Sequence, residues 1–196
     1  MAKELIEDLQ KTGVDTSILD CNALISTKQK SELELAAKTL QNLLAKNKDY
    51  VPALVAMGLA KFIQKKSSDA RNYLKTVVKN DFQLEFADYF ERAWLPMADY
   101  FISVNKFDLA EAELKKVLKY NRSNVKAEEL MGLIKEKEKA YVDAAAHYDR
   151  AFKMSNKKNA AVGFRLAFNY LKAQRYVDTI DVSKEILKVH PDYPKV

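Results

Sequence analysis

A chain of 196 residues that is 48% hydrophobic and 31% charged can bury one sizeable core without metals or disulfides. Four Gly and four Pro are too few for the turns of an all-β sandwich or barrel, and one cysteine with two histidines excludes a disulfide framework and a Cys/His zinc site. The net charge of +6 comes from interspersed acids and bases, as in Lys135-Glu136-Lys137-Glu138-Lys139, which reads as solvated helix faces and speaks against a nucleic-acid stripe.

Met1-Ala2-Lys3-Glu4 places an acid where a secretory signal needs an apolar run, and no stretch approaches the roughly 18 apolar residues of a membrane span. A cytosol-facing chain is expected. A short helix is predicted from Ala2 to Lys11, closed by Gly13, and a second from Thr16 to Ser26, capped by Asp15. Leu33, Ala36, Leu40 and Leu43 mark one face of a third helix, opened by a Ser31-x-x-Glu34 capping box. These elements, residues 1–50, read as N-terminal helices with a degenerate or half repeat.

From Val51 onward, pairs of helices recur. Residues 51–90 carry Met57-Gly58 on a first helix and Ala70, Leu74 and Val77 on a second. Residues 91–124 carry Trp94, Met97, Ala98 and Phe101, then Phe107, Ala110, Leu114 and Val117. The same skeleton returns over residues 125–159 as Met131-Gly132, Tyr141, Ala144, Tyr148 and Ala151. Residues 160–196 repeat it one residue late, with Leu166-Ala167, Tyr170, Tyr176, Thr179 and Ile186, and Pro191 as the stop.

This skeleton resembles the tetratricopeptide repeat, a helix pair that must stack on its neighbours to bury its apolar face. It implies an all-α solenoid of antiparallel helix pairs wound as a right-handed superhelix. Small residues mark the crossings: Gly58, Ala98, Gly132 and Ala167 share a slot on the first helices, and Ala70, Ala110 and Ala144 share one on the second. Two irregularities stand out. The link through Asp81 to Arg92 is longer than the others by about one and a half turns. Pro96 lies inside a first helix and predicts a kink near Arg92 or a restart with Pro96 in the first turn.

No nucleophile with its base, no metal cluster and no Gly-rich phosphate loop is visible, so neither an enzyme nor a cofactor or small-molecule substrate is expected. His147 reads as structural, and His190 as a helix-end residue whose charged form complements the macrodipole. In a repeat array the first helices line the inner face. The register puts Phe62 there, then Arg92, Leu95 and Asp99, then Lys126, Glu129 and Glu136, and finally Phe164, Phe168 and Leu171. Arrays that clamp a terminal carboxylate use Lys and Asn at the positions of Leu95, Asp99 and Glu129, which disfavours a chaperone-tail receptor.

Three binding readings remain open: a scaffold segment; an autonomous peptide-binding adaptor using Phe62, Arg92, Lys126 and Phe168; and an electrostatic binder of acidic tubulin tails, RNA or anionic lipid through pairs such as Lys157-Lys158. The Phe164, Phe168 and Leu171 stripe would pack on a neighbouring helix, so self-association of the isolated chain is also expected.

Ala70-Arg71-Asn72-Tyr73-Leu74-Lys75, Asn121-Arg122-Ser123, the run from Ala161 to Asp178, and His190-Pro191-Asp192-Tyr193-Pro194-Lys195 together resemble the C-terminal end of the tetratricopeptide repeat protein 21 family. The resemblance runs from about Leu43 to the end and departs from the family pattern at Pro96. It implies a non-catalytic scaffold in a large all-repeat subunit of intraflagellar transport complex A, acting in retrograde movement and cargo handling. The implied place is the cytoplasmic side of cilium, flagellum and basal body, and the implied partners are the other complex A subunits.

Overall fold

The computed structural model describes residues 16–193, and the predicted helix from Ala2 to Lys11, Gly13 and Asp15 lie outside them. The described residues form ten α-helices and one short 3-10 turn. They are α1 (Ser17–Thr27), α2 (Lys30–Lys46), α3 (Val51–Ile63), α4 (Ser67–Lys79), the 3-10 turn Leu84–Phe86, α5 (Ala87–Ser103), α6 (Phe107–Tyr120), α7 (Val125–Lys137), α8 (Tyr141–Met154), α9 (Ala160–Lys172) and α10 (Tyr176–Val189). The fold is all-α, as the repeat pattern requires. Two compact units divide the chain at Met97 and Ala98, inside α5.

In the first unit α1 packs on α2 and α3, α2 on α3, and α3 on α4. Helix α3 begins with the nearly continuous apolar run Val51-Pro52-Ala53-Leu54-Val55-Ala56-Met57, so it has no face to give to solvent and is buried from Val51 to Gly58. Its Ala53, Ala56 and Met57 close on Cys21, Ile25, Leu33, Ala36 and Leu40. Burial, with the charge of Asp20 adding to it, pushes the Cys21 thiol up to about 11. Farther along, Phe82 stacks on Trp94 with centroids 5.7 Å apart, and Phe90 lies 5.4 Å from the same indole. Phe82 and Phe90 of the long link therefore form an aromatic plug on Trp94, while Leu84 between them is 77% exposed.

In the second unit α6 packs on α7, α7 on α8, α8 on α9 and α9 on α10. Tyr148, Phe152, Leu166 and Ile186 form its fully enclosed centre. Lys135 of α7 joins Glu111 of α6 and also Glu138, which holds the Lys135 ammonium above its ordinary range.

Most of the helix punctuation is invisible to a search for glycine. Lys65, Asn105, Lys139 and Gln174 are left-handed, with φ between 57° and 62°. At each of these turns the next amide reaches back to a carbonyl five residues earlier, as from Lys66 to Lys61 and from Ala140 to Lys135. These are the 6→1 closures of Schellman motifs.

Two expectations are corrected. The Ser31-x-x-Glu34 box does not open α2, which starts at Lys30 after an extended Gln29. Lys28 turns left-handed at φ 60°, and the Thr27 hydroxyl accepts the Gln29 amide at 3.2 Å, so the helix restarts two residues earlier than a Ser31 cap would allow. At Pro96 there is no restart: α5 runs unbroken from Ala87 to Ser103, four residues longer at its start than the repeat pattern suggests. The lost amide is that of Pro96 toward the carbonyl of Arg92, an exposed residue, where water can substitute. Tyr176 stands at the first position of α10 and is 59% exposed. The His190 ring, at the C-terminal end of α10, also bonds the Lys158 carbonyl at 2.8 Å and so ties that end to the α8–α9 turn.

Candidate functional site

The residues assigned to the inner face fall in both units. In the first, Phe62 is half-buried at the end of α3, Leu95 is half-buried on α5, and Arg92 is exposed with its guanidinium 6.0 Å from the Tyr89 ring centre. In the second, Asp99 is exposed, and Lys126 pairs with Glu129 of its own helix at 3.2 Å. The remaining positions gather around α9.

There Glu136, Phe164 and Phe168 line one recess of about 310 Å³, together with Ala161, Arg165 and Tyr193. Leu171, 49% exposed, stands outside it. The sequence rule brings these side chains together because α9 repeats Ala161, Phe164 and Phe168 at helical spacing, while Glu136 is the last inward position of α7. The Asn159 side chain accepts the Val162 amide at 3.2 Å and so sets where α9 starts.

The recess lies over polar groups that pair with one another, apart from Asn169 Oδ1, which is buried without a hydrogen-bond partner. Glu136 accepts from Arg165 at 3.1 Å and from the Asn169 amide at 2.9 Å. Arg165 Nη1 also reaches the Tyr148 hydroxyl at 3.5 Å, and Asn169, which is fully buried, donates to the Arg165 carbonyl at 2.8 Å. Burial first, and then the Glu136 charge, hold the Tyr148 hydroxyl far above its ordinary range, so it stays protonated. The walls are aromatic: Phe164 and Tyr193 lie 6.5 Å apart, and the Lys172 ammonium sits 5.4 Å from the Phe168 centroid. Such a site can take an apolar side chain of a partner between Phe164, Phe168 and Tyr193. It holds no nucleophile beside a base, and among the described residues no three His, Cys, Asp or Glu side chains cluster as metal ligands.

Arg165, Asn169 and Tyr193 were missed by sequence reasoning. Arg165 and Asn169 lie between the inner-face positions and are revealed by their pairing with Glu136, whereas Tyr193 lies beyond α10 and is revealed by its ring contact with Phe164. A second missed cluster is Glu128, His147 and Arg150. Glu128 is 6% exposed, yet it takes His147 Nδ1 at 2.7 Å and Arg150 Nε at 3.1 Å on one oxygen. Burial alone would raise its pKa, but the hydrogen bonds from His147 and Arg150 outweigh it and hold the carboxyl below its ordinary value. A carboxylate this well satisfied is a tie between α7 and α8.

The profile of the tetratricopeptide repeat protein 21 C-terminal ARM domain matches residues 1–196. The chain belongs to the tetratricopeptide repeat protein 21 family. It is 46% identical to human tetratricopeptide repeat protein 21B over 196 residues, all of this chain but 15% of that protein. It is 42% identical over 173 residues to mouse tetratricopeptide repeat protein 21A, covering 88% of this chain and 13% of that one. In Caenorhabditis elegans a tetratricopeptide repeat protein 21 homolog is 37% identical over 146 residues, 74% of this chain and 11% of that protein. The chain thus spans a small part of these relatives.

Among solved structures, YrrB, described as a TPR protein with an unusual peptide-binding site, superposes with a TM-score of 0.71 at 14% identity, covering 98% of this chain and 95% of that one. A double mutant of MamA gives 0.70 at 14% identity, covering 93% and 99%. At that identity the likeness establishes the repeat fold and nothing more.

Proposed function

We propose that this chain is a non-catalytic protein-interaction scaffold, the C-terminal segment of a subunit of intraflagellar transport complex A acting in retrograde ciliary transport. The observation that carries the reading is membership of the tetratricopeptide repeat protein 21 family along the whole chain. The architecture supports it: an α-helical repeat presents side chains for docking and builds no reaction centre. The contact surface within this reading is the recess of Phe164, Phe168 and Tyr193 over the Glu136 and Arg165 pair. Its aromatic anchors beside a satisfied charge pair are the composition that dominates interface energetics. Its place would be the cytoplasmic side of cilium, flagellum and basal body.

The test is co-purification from ciliated cells of the full-length protein that contains this segment, unaltered or with Phe164→Ser and Phe168→Ser. Complex A subunits should come down with the unaltered protein and be depleted with the variant. Recovery of no complex A subunit with the unaltered protein would overturn the scaffold reading, and equal recovery with both would overturn the recess as its contact.

A further inference from the structure

The first unit carries a second recess, of about 560 Å³, between the α1–α2 turn, α2 and the C-terminal end of α3. Its rim holds Lys28, Lys30, Lys38, Lys61 and Lys66, with Glu34 as the acid among the described residues of its lining. In the second unit half of the described lysines, Lys115, Lys116, Lys126, Lys135, Lys153, Lys157 and Lys188, each pair with an acid on their own helix or beyond it. No ion pair among the described residues engages the five rim lysines. Below the rim, Leu33, Ala37 and Ile63 make an apolar patch beside Gln64, whose Oε1 is buried without a hydrogen-bond partner.

Like charges gathered around such a recess repel one another. The ligand that answers both features carries several carboxylates around one apolar side chain. Nucleic acid is a poorer match because no lining residue is aromatic and bases have nothing to stack on. Phosphate is a poorer match because no arginine offers a bidentate fork. A volume of this size, in the ordinary range for side-chain-sized ligand sites, takes one or two residues of a peptide.

We propose that the Lys28 to Lys66 recess of the first unit binds an acidic peptide segment of a partner protein, with carboxylates on the lysine rim and one aliphatic side chain on the Leu33, Ala37 and Ile63 floor. None of its residues belongs to the inner-face set around α9, so it stands or falls apart from the scaffold reading.

The test is fluorescence anisotropy with the 196-residue chain and a fluorescein-labelled peptide of glutamates bearing a leucine at every fourth position, at physiological salt. Binding is expected, and Lys30→Glu with Lys38→Glu, both at exposed positions, should weaken it by about tenfold. Ala37→Leu, which fills the floor and leaves every charge in place, should weaken it by several-fold, as should serine for leucine in the peptide. Circular dichroism and Trp94 emission establish that each variant folds, and Lys30→Gln with Lys38→Gln stands in should the reversal unfold the chain. Absence of binding, or binding indifferent to both the lysine and the Ala37 changes, would overturn the proposal. So would equally tight binding of the leucine-free peptide, of oligo-dT or of phosphatidylserine vesicles, which would make the rim a general anion surface.

Discussion

Gly132 of α7 lies directly against the ring of Tyr148 of α8: a Cβ at position 132 would stand 2.9 Å from Cδ1 and Cε1 of that ring. Tyr148 is fully buried and its hydroxyl is tied to Arg165, so the ring has nowhere to retreat. Replacing Gly132 by Ala gains about 1 kcal/mol in helix propensity and loses about 1–3 kcal/mol to overpacking, so the second term should win. Gly132→Ala is therefore expected to lower the urea midpoint. A raised midpoint would mean that the α7–α8 crossing yields.

The same crossing logic applies to the alanines. Ala110 and Ala144 are fully enclosed. Enlarging either to Leu should cost about 1–3 kcal/mol, read as a fall in melting temperature. An unchanged melting temperature in both variants would contradict the packing register.

How much of this was legible beforehand depended on whether a feature is periodic. Gly58, Gly132 and the buried alanines recur at the repeat interval, and the structure places Gly58 against Leu74 as it places Gly132 against Tyr148. Gly163 escaped because it sits about one helical turn before the slot assigned to Ala167, although a Cβ there would meet Ile186 and Phe152 at 2.8 Å. Glu128 was legible in principle, since the 34-residue shift from Trp94 lands on it and predicts burial at that slot. Its partners His147 and Arg150 lie one helix away, so the spacing within α7 carries no sign of the pairing. The recess around Phe164 was half legible for the same reason: α9 spacing gives the aromatics, but Arg165 and Asn169 matter only through Glu136 on another helix. Non-glycine left-handed turns such as Lys65 and Lys139 leave no compositional trace at all.

The Glu128 tie makes a pH prediction. Its folded pKa lies below the ordinary 4.5, so the carboxylate contributes stability that is present above that value and is lost as pH falls through the depressed folded value. The urea midpoint of the unaltered chain should fall between about pH 6 and pH 3, and Glu128→Gln should flatten part of that fall while lowering the midpoint at neutral pH. Parallel curves for the two proteins would remove Glu128 from the acid response. His147→Ala should also destabilise at neutral pH, because it takes one partner from a buried carboxylate, at a cost of about 1–3 kcal/mol.

Two spectroscopically distinct groups report on the first unit. Trp94, the one tryptophan of the chain, is 3% exposed and covered by Phe82. Phe82→Ala should shift its emission to the red and cost about 1–3 kcal/mol, less than a full core deletion because Phe82 is only half-buried. Cys21, the one cysteine, has its thiol held at about 11 and is 1% exposed, so alkylation by iodoacetamide near pH 8 should be slow and should accelerate in step with the emission shift as urea opens the unit. Rapid labelling in the absence of urea would show that α1 and α2 part without global unfolding. If Cys21 labelling instead tracks the red shift of Trp94 at every urea concentration, α1 and α2 open together with the aromatic plug around Trp94, as one cooperative element.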